Sequence, residues 1–178
     1  MLKPAYIFKD KLQEIYNSVI FNNKYKYYNN SNYWNYELKL SNDSWNNIEM
    51  VSVDSKDNIL GFFQASISRE SDKISSIGII NFYDKNIVFS RDLYNFLVDL
   101  FEKYNFRKIE WNVVVGNDAE KLYDRIIAKY GGRVVGVEEK STKLIDGLYY
   151  NVKYYEIFKE NFERSRLRWE WELGIIQY

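Results

Sequence analysis

The stretch Trp111-Asn112-Val113-Val114-Val115-Gly116-Asn117-Asp118-Ala119-Glu120-Lys121-Leu122-Tyr123-Asp124-Arg125, continued by Lys129-Tyr130-Gly131-Gly132-Arg133-Val134-Val135-Gly136-Val137, changes period twice. Lys108 to Val115 is rich in β-branched and aromatic residues, which suit a pleated, half-buried surface, and reads as a strand. Ala119, Leu122, Tyr123, Ile126, Ile127 and Tyr130 then recur at helical spacing as one apolar stripe. Gly131-Gly132 stops that helix, because glycine accepts the left-handed backbone that closes a last turn. Arg133 to Lys140 resumes as a strand.

Working upstream, Leu93, Phe96, Leu97, Leu100, Phe101 and Tyr104 form a second stripe, with Ser90 expected as its N-cap and Asp92 in its first turn. The run Ile74 to Phe82 precedes it. A strand-helix-strand crossover implies that Ile74–Phe82 and Lys108–Val115 lie parallel, with the helix on one face. Before them, Ile48–Val53 and Ile59–Ser68 flank the polar turn Asp54-Ser55-Lys56-Asp57-Asn58 and predict a β-hairpin. Leu12, Ile15, Tyr16, Val19 and Ile20 behind Asp10, a candidate N-cap, predict a helix over about 10–22. Downstream, Tyr149–Phe158 is joined to the preceding strand through Asp146-Gly147. The end, Lys159 to Tyr178, mixes Phe162, Leu167, Trp169, Trp171, Leu173, Ile175 and Ile176 with charges; helix or strand, packed on the domain or on a second subunit in a homodimer, both stay open. The fold class is α+β, with a mixed sheet that is antiparallel first and parallel in the middle.

At 178 residues, with 46% hydrophobic and 28% charged content, the chain suits one domain, 1–178, with a single core. It has no cysteine and no histidine, which excludes Cys/His zinc sites, thiol nucleophiles, Ser-His-Asp triads and disulfides, and no metal is expected. Lys plus Arg and Asp plus Glu number 25 each, so no net field draws it to nucleic acid or to an anionic membrane. The first residues are too quickly charged for a signal peptide, and a cytoplasmic location is the expectation. The Asn/Tyr run from Phe21 to Tyr36 reads as a long loop or short helix; Trp34, Trp45, Trp169 and Trp171 read as packing anchors or a partner surface.

Where the two central strands separate at their carboxyl ends, a crevice opens beside the next helix, a usual place for a ligand. The helix start at Ser90-Arg91-Asp92, with Lys85 before it, would suit a phosphate or pyrophosphate. Arg91 reads equally well as an exposed residue balanced by Asp92.

Strand, Gly-Asn, Ala-Glu-Lys-Leu-Tyr on a helix, a glycine stop and a valine-rich strand together resemble a motif of the GNAT superfamily of N-acetyltransferases. Ile145-Asp146-Gly147-Leu148-Tyr149-Tyr150-Asn151-Val152-Lys153-Tyr154-Tyr155-Glu156 is similar to the family's terminal hairpin. The resemblance covers about 48–162 and leaves 163–178 as an extension. It implies a GNAT-like splayed sheet, acetyl-CoA as co-substrate lying between the central strands, and direct attack on the thioester by the amine of a small-molecule or peptide acceptor. On the same footing, the pantetheine arm would pair with backbone around Ile79, Asn81 and Phe82. An N–H near Ile80 would polarise the carbonyl, Tyr123 would protonate the leaving thiolate, and Asn117 would contact the arm or cap the helix. Lys85, Ser90 and Arg91 would hold the pyrophosphate. The family's Arg/Gln-x-x-Gly-x-Gly/Ala pattern has no counterpart in Asp84–Arg91, which contains no glycine. The general base stays open between Glu110, Glu49 and a water chain, and Tyr123 stays open between catalyst and core aromatic. A catalytically inactive GNAT-fold interaction or assembly module is the alternative function.

Overall fold

A computed structural model describes residues 1–19, 22–29, 37–41 and 44–172. The chain runs β1 (Leu2–Pro4), a 3-10 turn (Ala5–Phe8), α1 (Lys9–Val19), a second 3-10 segment (Asn23–Asn29), β2 (Asn47–Val53), β3 (Ile59–Ser68), β4 (Lys73–Asn81), α2 (Ile87–Glu102), β5 (Lys108–Val114), α3 (Ala119–Tyr130), β6 (Arg133–Lys143), β7 (Tyr149–Phe158) and α4 (Lys159–Glu172). The strands form one sheet in the order β1-β2-β3-β4-β5-β7-β6. Among the described residues only β4 and β5 pair in parallel, as the crossover through α2 requires.

Strand alternation sorts the side chains onto two faces. Phe63, Ala65, Ile77, Ile109, Trp111, Val113, Tyr155 and Ile157 meet α2 and α3, whose stripes add Phe89, Leu93, Phe96, Leu97, Leu100, Phe101, Tyr123 and Ile127 to one core. Each such side chain contributes roughly 1.5–3 kcal/mol when fully buried. On the opposite face a smaller core of Val51, Val53, Ile59, Phe62 and Phe82 meets Leu12 of α1 and Ala5. α3 ends as its sequence predicts: Gly131 takes φ 68° and its N–H reaches Ile127 O.

Four expectations need correction. β1 was not expected; it is too short to show a period and exists because β2 offers it an edge. α1 begins at Lys9 straight from a 3-10 turn, so Asp10 lies inside its first turn instead of capping it. α2 begins earlier than expected: the cap is Asn86, whose Oδ1 accepts from Val88 N (3.0 Å) and Phe89 N (3.1 Å), while Ser90 lies within the helix and donates to Asn86 O. The earlier start follows from packing, since the Phe89 ring stacks on Phe63 at 5.0 Å and lies where a Cβ on Gly61 would fall. Asp92 therefore lies in the helix interior, buried, where it accepts from Ser52 Oγ (2.7 Å) and pairs with the Met1 ammonium (2.6 Å).

The ambiguous C-terminal stretch is helical over Lys159–Glu172, and its start packs on its own domain: Phe162 stacks on Phe101 (4.8 Å) and leans on Tyr130 (5.0 Å). Trp34, residues 30–36 of the Asn/Tyr run, the Trp169 and Trp171 side chains and residues 173–178 lie outside the described residues. Among those described, no helix is long and apolar enough to cross a membrane.

Candidate functional site

β4 and β5 pair at only two positions, Lys73↔Lys108 and Ile74↔Ile109, and then diverge. At the paired end a ladder of ions crosses four strands on the face opposite α2 and α3. Lys73 Nζ reaches Glu110 (2.6 Å), Lys108 reaches both Glu110 and Glu156 (3.1 Å to the latter), and Arg133 reaches Glu156 (2.5 Å). Burial works against ionisation of Glu110 and Glu156, yet the hydrogen bonds from these cations outweigh it and hold both carboxyls below the usual carboxylate range.

Register decides which backbone groups face the gap. Phe82 N donates to Leu60 O (3.1 Å), and the β3–β4 pairing is regular from Gly61↔Asn81 to Ala65↔Ile77. In an antiparallel pair, alternate residues turn both backbone groups to the partner strand. Phe82, Ile80 and Gly78 therefore face β3, while Asn81, Ile79 and Ile77 present N–H and C=O to the gap. The N–H of Ile80 itself is thus turned to β3, and the N–H groups near it that face the gap are those of Ile79 and Asn81. On β5, Val115 N donates to Asn151 O, and the same alternation turns Asn112 and Val114 to the gap.

A cavity of about 250 Å³ opens on the α1 face between Tyr16, Tyr27, Gln64, Ser76, Ile80 and Asn112. One of about 340 Å³ opens on the α2/α3 face between Tyr25, Asp84, Phe89, Leu93, Asp118 and Leu122. Tyr27, Ile79, Asn117 and Tyr123 line both, so the gap joins them through the sheet. Tyr123 is 8% exposed and meets Trp111 and Tyr155 edge-on at 6.0 Å, which fixes its ring at this junction. Beside it, the Trp111 indole N–H is buried without a hydrogen-bond partner.

The structure brings Ile79, Ile80, Asn81, Asn117 and Tyr123 to these cavities and leaves the other predicted residues outside them. Asn117 Oδ1 accepts from Ala119 N (3.0 Å) at the start of α3. Phe82 is buried in the α1-side core, and its carbonyl accepts from Tyr25 Oη (3.3 Å). Lys85 is exposed at φ 55°, and Ser90 is exposed on the helix. Arg91 lines a separate open depression with Met1, Leu2, Asp92 and Asn95. Of the candidate bases, Glu110 is held in the ion ladder. Glu49 accepts from Gln64 Nε2 (3.0 Å) and Ser41 N (2.8 Å), one step behind the cavity wall.

Tyr27 was not legible in the sequence. It is carried by a clasp from Lys26, whose Nζ meets Asp146 Oδ2 and Tyr150 Oη at 3.0 Å each and lies over the Tyr27 and Tyr150 rings at 5.0 and 5.1 Å. The Tyr150 hydroxyl, the Leu148 N–H and Lys26 together draw the Asp146 carboxyl down to about 2. Asp84 and Asp118 also escaped the sequence reading, because polar residues beside a strand end read as turns.

No protein-family model and no curated protein matches the sequence. Solved structures do match. A spermidine N-acetyltransferase from Vibrio cholerae in complex with CoA and spermine aligns over 91% of this chain and 96% of its own, with TM-score 0.70 and 20% identity. The spermidine/spermine N-acetyltransferase SpeG from Vibrio cholerae in complex with manganese ions aligns over 87% and 77%, with TM-score 0.57 and 23% identity. In a third structure of the acetyltransferase kind the chain spans 72% of itself but 65% of that protein, with TM-score 0.57 and 19% identity. With one splayed parallel pair in a seven-stranded mixed sheet and these structural neighbours, the chain has the fold of the GNAT N-acetyltransferases.

Proposed function

We propose that the protein is an acyl-CoA-dependent N-acyltransferase that moves an acetyl group from acetyl-CoA to a primary amine by direct attack. The observation that carries this reading is the through-sheet gap: a donor on the α2/α3 face and an acceptor on the α1 face would meet at Tyr27, Ile79, Asn117 and Tyr123. The gap-facing backbone of Ile79 and Asn81 would take the pantetheine arm as an added strand. The gap-facing Ile79 N–H would serve as the backbone donor for the developing oxyanion. As the amine nitrogen bonds to the carbonyl carbon and the C–S bond breaks, Tyr123 would give its phenolic proton to the thiolate, the amine's proton would leave to solvent, and the phenolate would regain a proton from solvent.

The acceptor-side wall supports an otherwise neutral amine. It offers Tyr16, Gln64, Ser66, Ser76 and Asn112 as hydrogen-bonding groups, and no carboxylate is among its described residues.

Titration calorimetry with acetyl-CoA tests the reading. A ligand at 100 times its dissociation constant stabilises by about 2.7 kcal/mol, so a thermal shift follows binding. Absence of both heat and shift at millimolar acetyl-CoA would favour the second reading, a GNAT-fold interaction module, which the glycine-less loop Asp84–Arg91 supports.

A further inference from the structure

The cavity on the α2/α3 face is bordered by two helix starts, and at both of them N–H groups are already bonded to the chain's own oxygens. At α2, Asn86 Oδ1 accepts from the N–H groups of Val88 and Phe89. At α3, Asn117 Oδ1 accepts from Ala119 N, and the Glu120 carboxylate in the first turn accepts from Gly116 N (3.2 Å). These N–H groups and the positive ends of the two helix dipoles are the features that would draw a phosphate.

The charges point the same way. Asp84 and Asp118 line this cavity, and no lysine or arginine is among its described lining residues. Lys85 and Ser90 are exposed outside it, and Arg91 borders the depression around Met1. A pyrophosphate at the cavity mouth would meet carboxylates and capped helix starts. The thioester end differs, because Ile79, Asn81 and Asn112 hold open backbone positions along the gap, beside Tyr123.

We infer that the donor is recognised as an acyl-pantetheine thioester, and that the phosphorylated adenosine end of CoA adds little to its affinity. This rests on the acyltransferase reading and narrows its donor. The pantetheine arm supplies amides that pair with strand backbone, and an uncharged thioester needs no cation among the described residues that line the gap.

The test is calorimetry on the full chain with three probes: acetyl-CoA, acetyl-pantetheine and 3′,5′-ADP. The expected result is a dissociation constant for acetyl-pantetheine within about threefold of that for acetyl-CoA, which is less than one hydrogen bond to a charged group is worth. It also includes no displacement of acetyl-CoA by 3′,5′-ADP, and an acetyl-CoA affinity that barely changes with added salt. Asp84→Lys should raise the preference for acetyl-CoA over acetyl-pantetheine, since it puts a cation where a carboxylate stands. Competition by 3′,5′-ADP, or acetyl-CoA binding more than about thirtyfold tighter than acetyl-pantetheine, would overturn the inference and leave the acyltransferase reading intact; about 2 kcal/mol is what one charge-assisted phosphate contact supplies. If the folded chain binds none of the three probes, both readings fall.

Discussion

Along β4 and β5, one end of a single strand pair is zipped and the other is open. At the zipped end, Ile74 and Ile109 are fully buried beneath α2, and the Lys73–Glu110–Lys108–Glu156–Arg133 ladder spans the opposite face. At the open end, the backbone of Ile79, Asn81 and Asn112 has no strand opposite, and aromatic rings from distant segments border the space. Side chains fill both faces where the strands pair, and open backbone groups collect where the hydrogen-bonding ladder stops. The fold holds its gap open from one end, like a hinge fixed by its pin.

The sharpest way to break this division is to remove core volume at the zipped end. Ile109→Ala should cost about 2–5 kcal/mol and lower Tm by several degrees, read by urea and thermal unfolding. Ile79→Ala, at the open end, should cost less stability and more donor affinity; equal stability losses would contradict the contrast. Next in size, Tyr123→Phe should lower kcat about a hundredfold while leaving the acetyl-CoA dissociation constant and Tm in place. An unchanged rate would make the phenol a packing group, which its contacts with Trp111 and Tyr155 also satisfy.

Glu156→Gln should cost roughly 1.5–3 kcal/mol, because Lys108 and Arg133 lose a charged partner. The same pair of carboxylates sets the acid limb. Glu110 and Glu156 are held below their ordinary value of 4.5, so their stabilisation is complete above that pH and is lost as the pH falls through their lower folded values. Urea midpoints measured downward from neutral pH should therefore fall below about pH 4.5, with a shallower fall in the Glu156→Gln protein. The smallest effect belongs to the clasp. Lys26→Ala removes the bonds to Asp146 and Tyr150 that hold the segment carrying Tyr27, and should raise the acceptor KM by less than about fivefold, with kcat nearly unchanged, as expected for an ion pair near the surface.

The elements most legible in the sequence are those whose signals are local. α3 and its stop at Gly131 follow from a stripe at helical spacing and a residue that tolerates positive φ. The β2–β3 hairpin follows from two alternating runs around a polar turn. The start of α2 was misread because Asn86 and Ser90 are both competent caps, and the choice between them is made by Phe89 packing on Phe63 and against Gly61, far away in the chain. The site was half legible: Tyr123 and Asn117 lie in the quoted motif. Tyr27 sits in a run where tyrosines and asparagines repeat without period, and it is brought to the gap by the bonds of its neighbour Lys26 to Asp146 and Tyr150, 120 and 124 residues from Lys26.

By itself the sequence determined the periods, hence the order of strands and helices from α1 to β7, and the exclusion of thiol and imidazole chemistry, because these depend on residue identity and near-neighbour spacing. The tertiary structure alone decided where β4 and β5 part, which backbone groups turn into the opening, and that Arg91 and Lys85 stand away from it while Asp84 and Asp118 border it. Those outcomes depend on pairing parity between strands and on helix starts set by distant packing, and neither is written in any short run of residues.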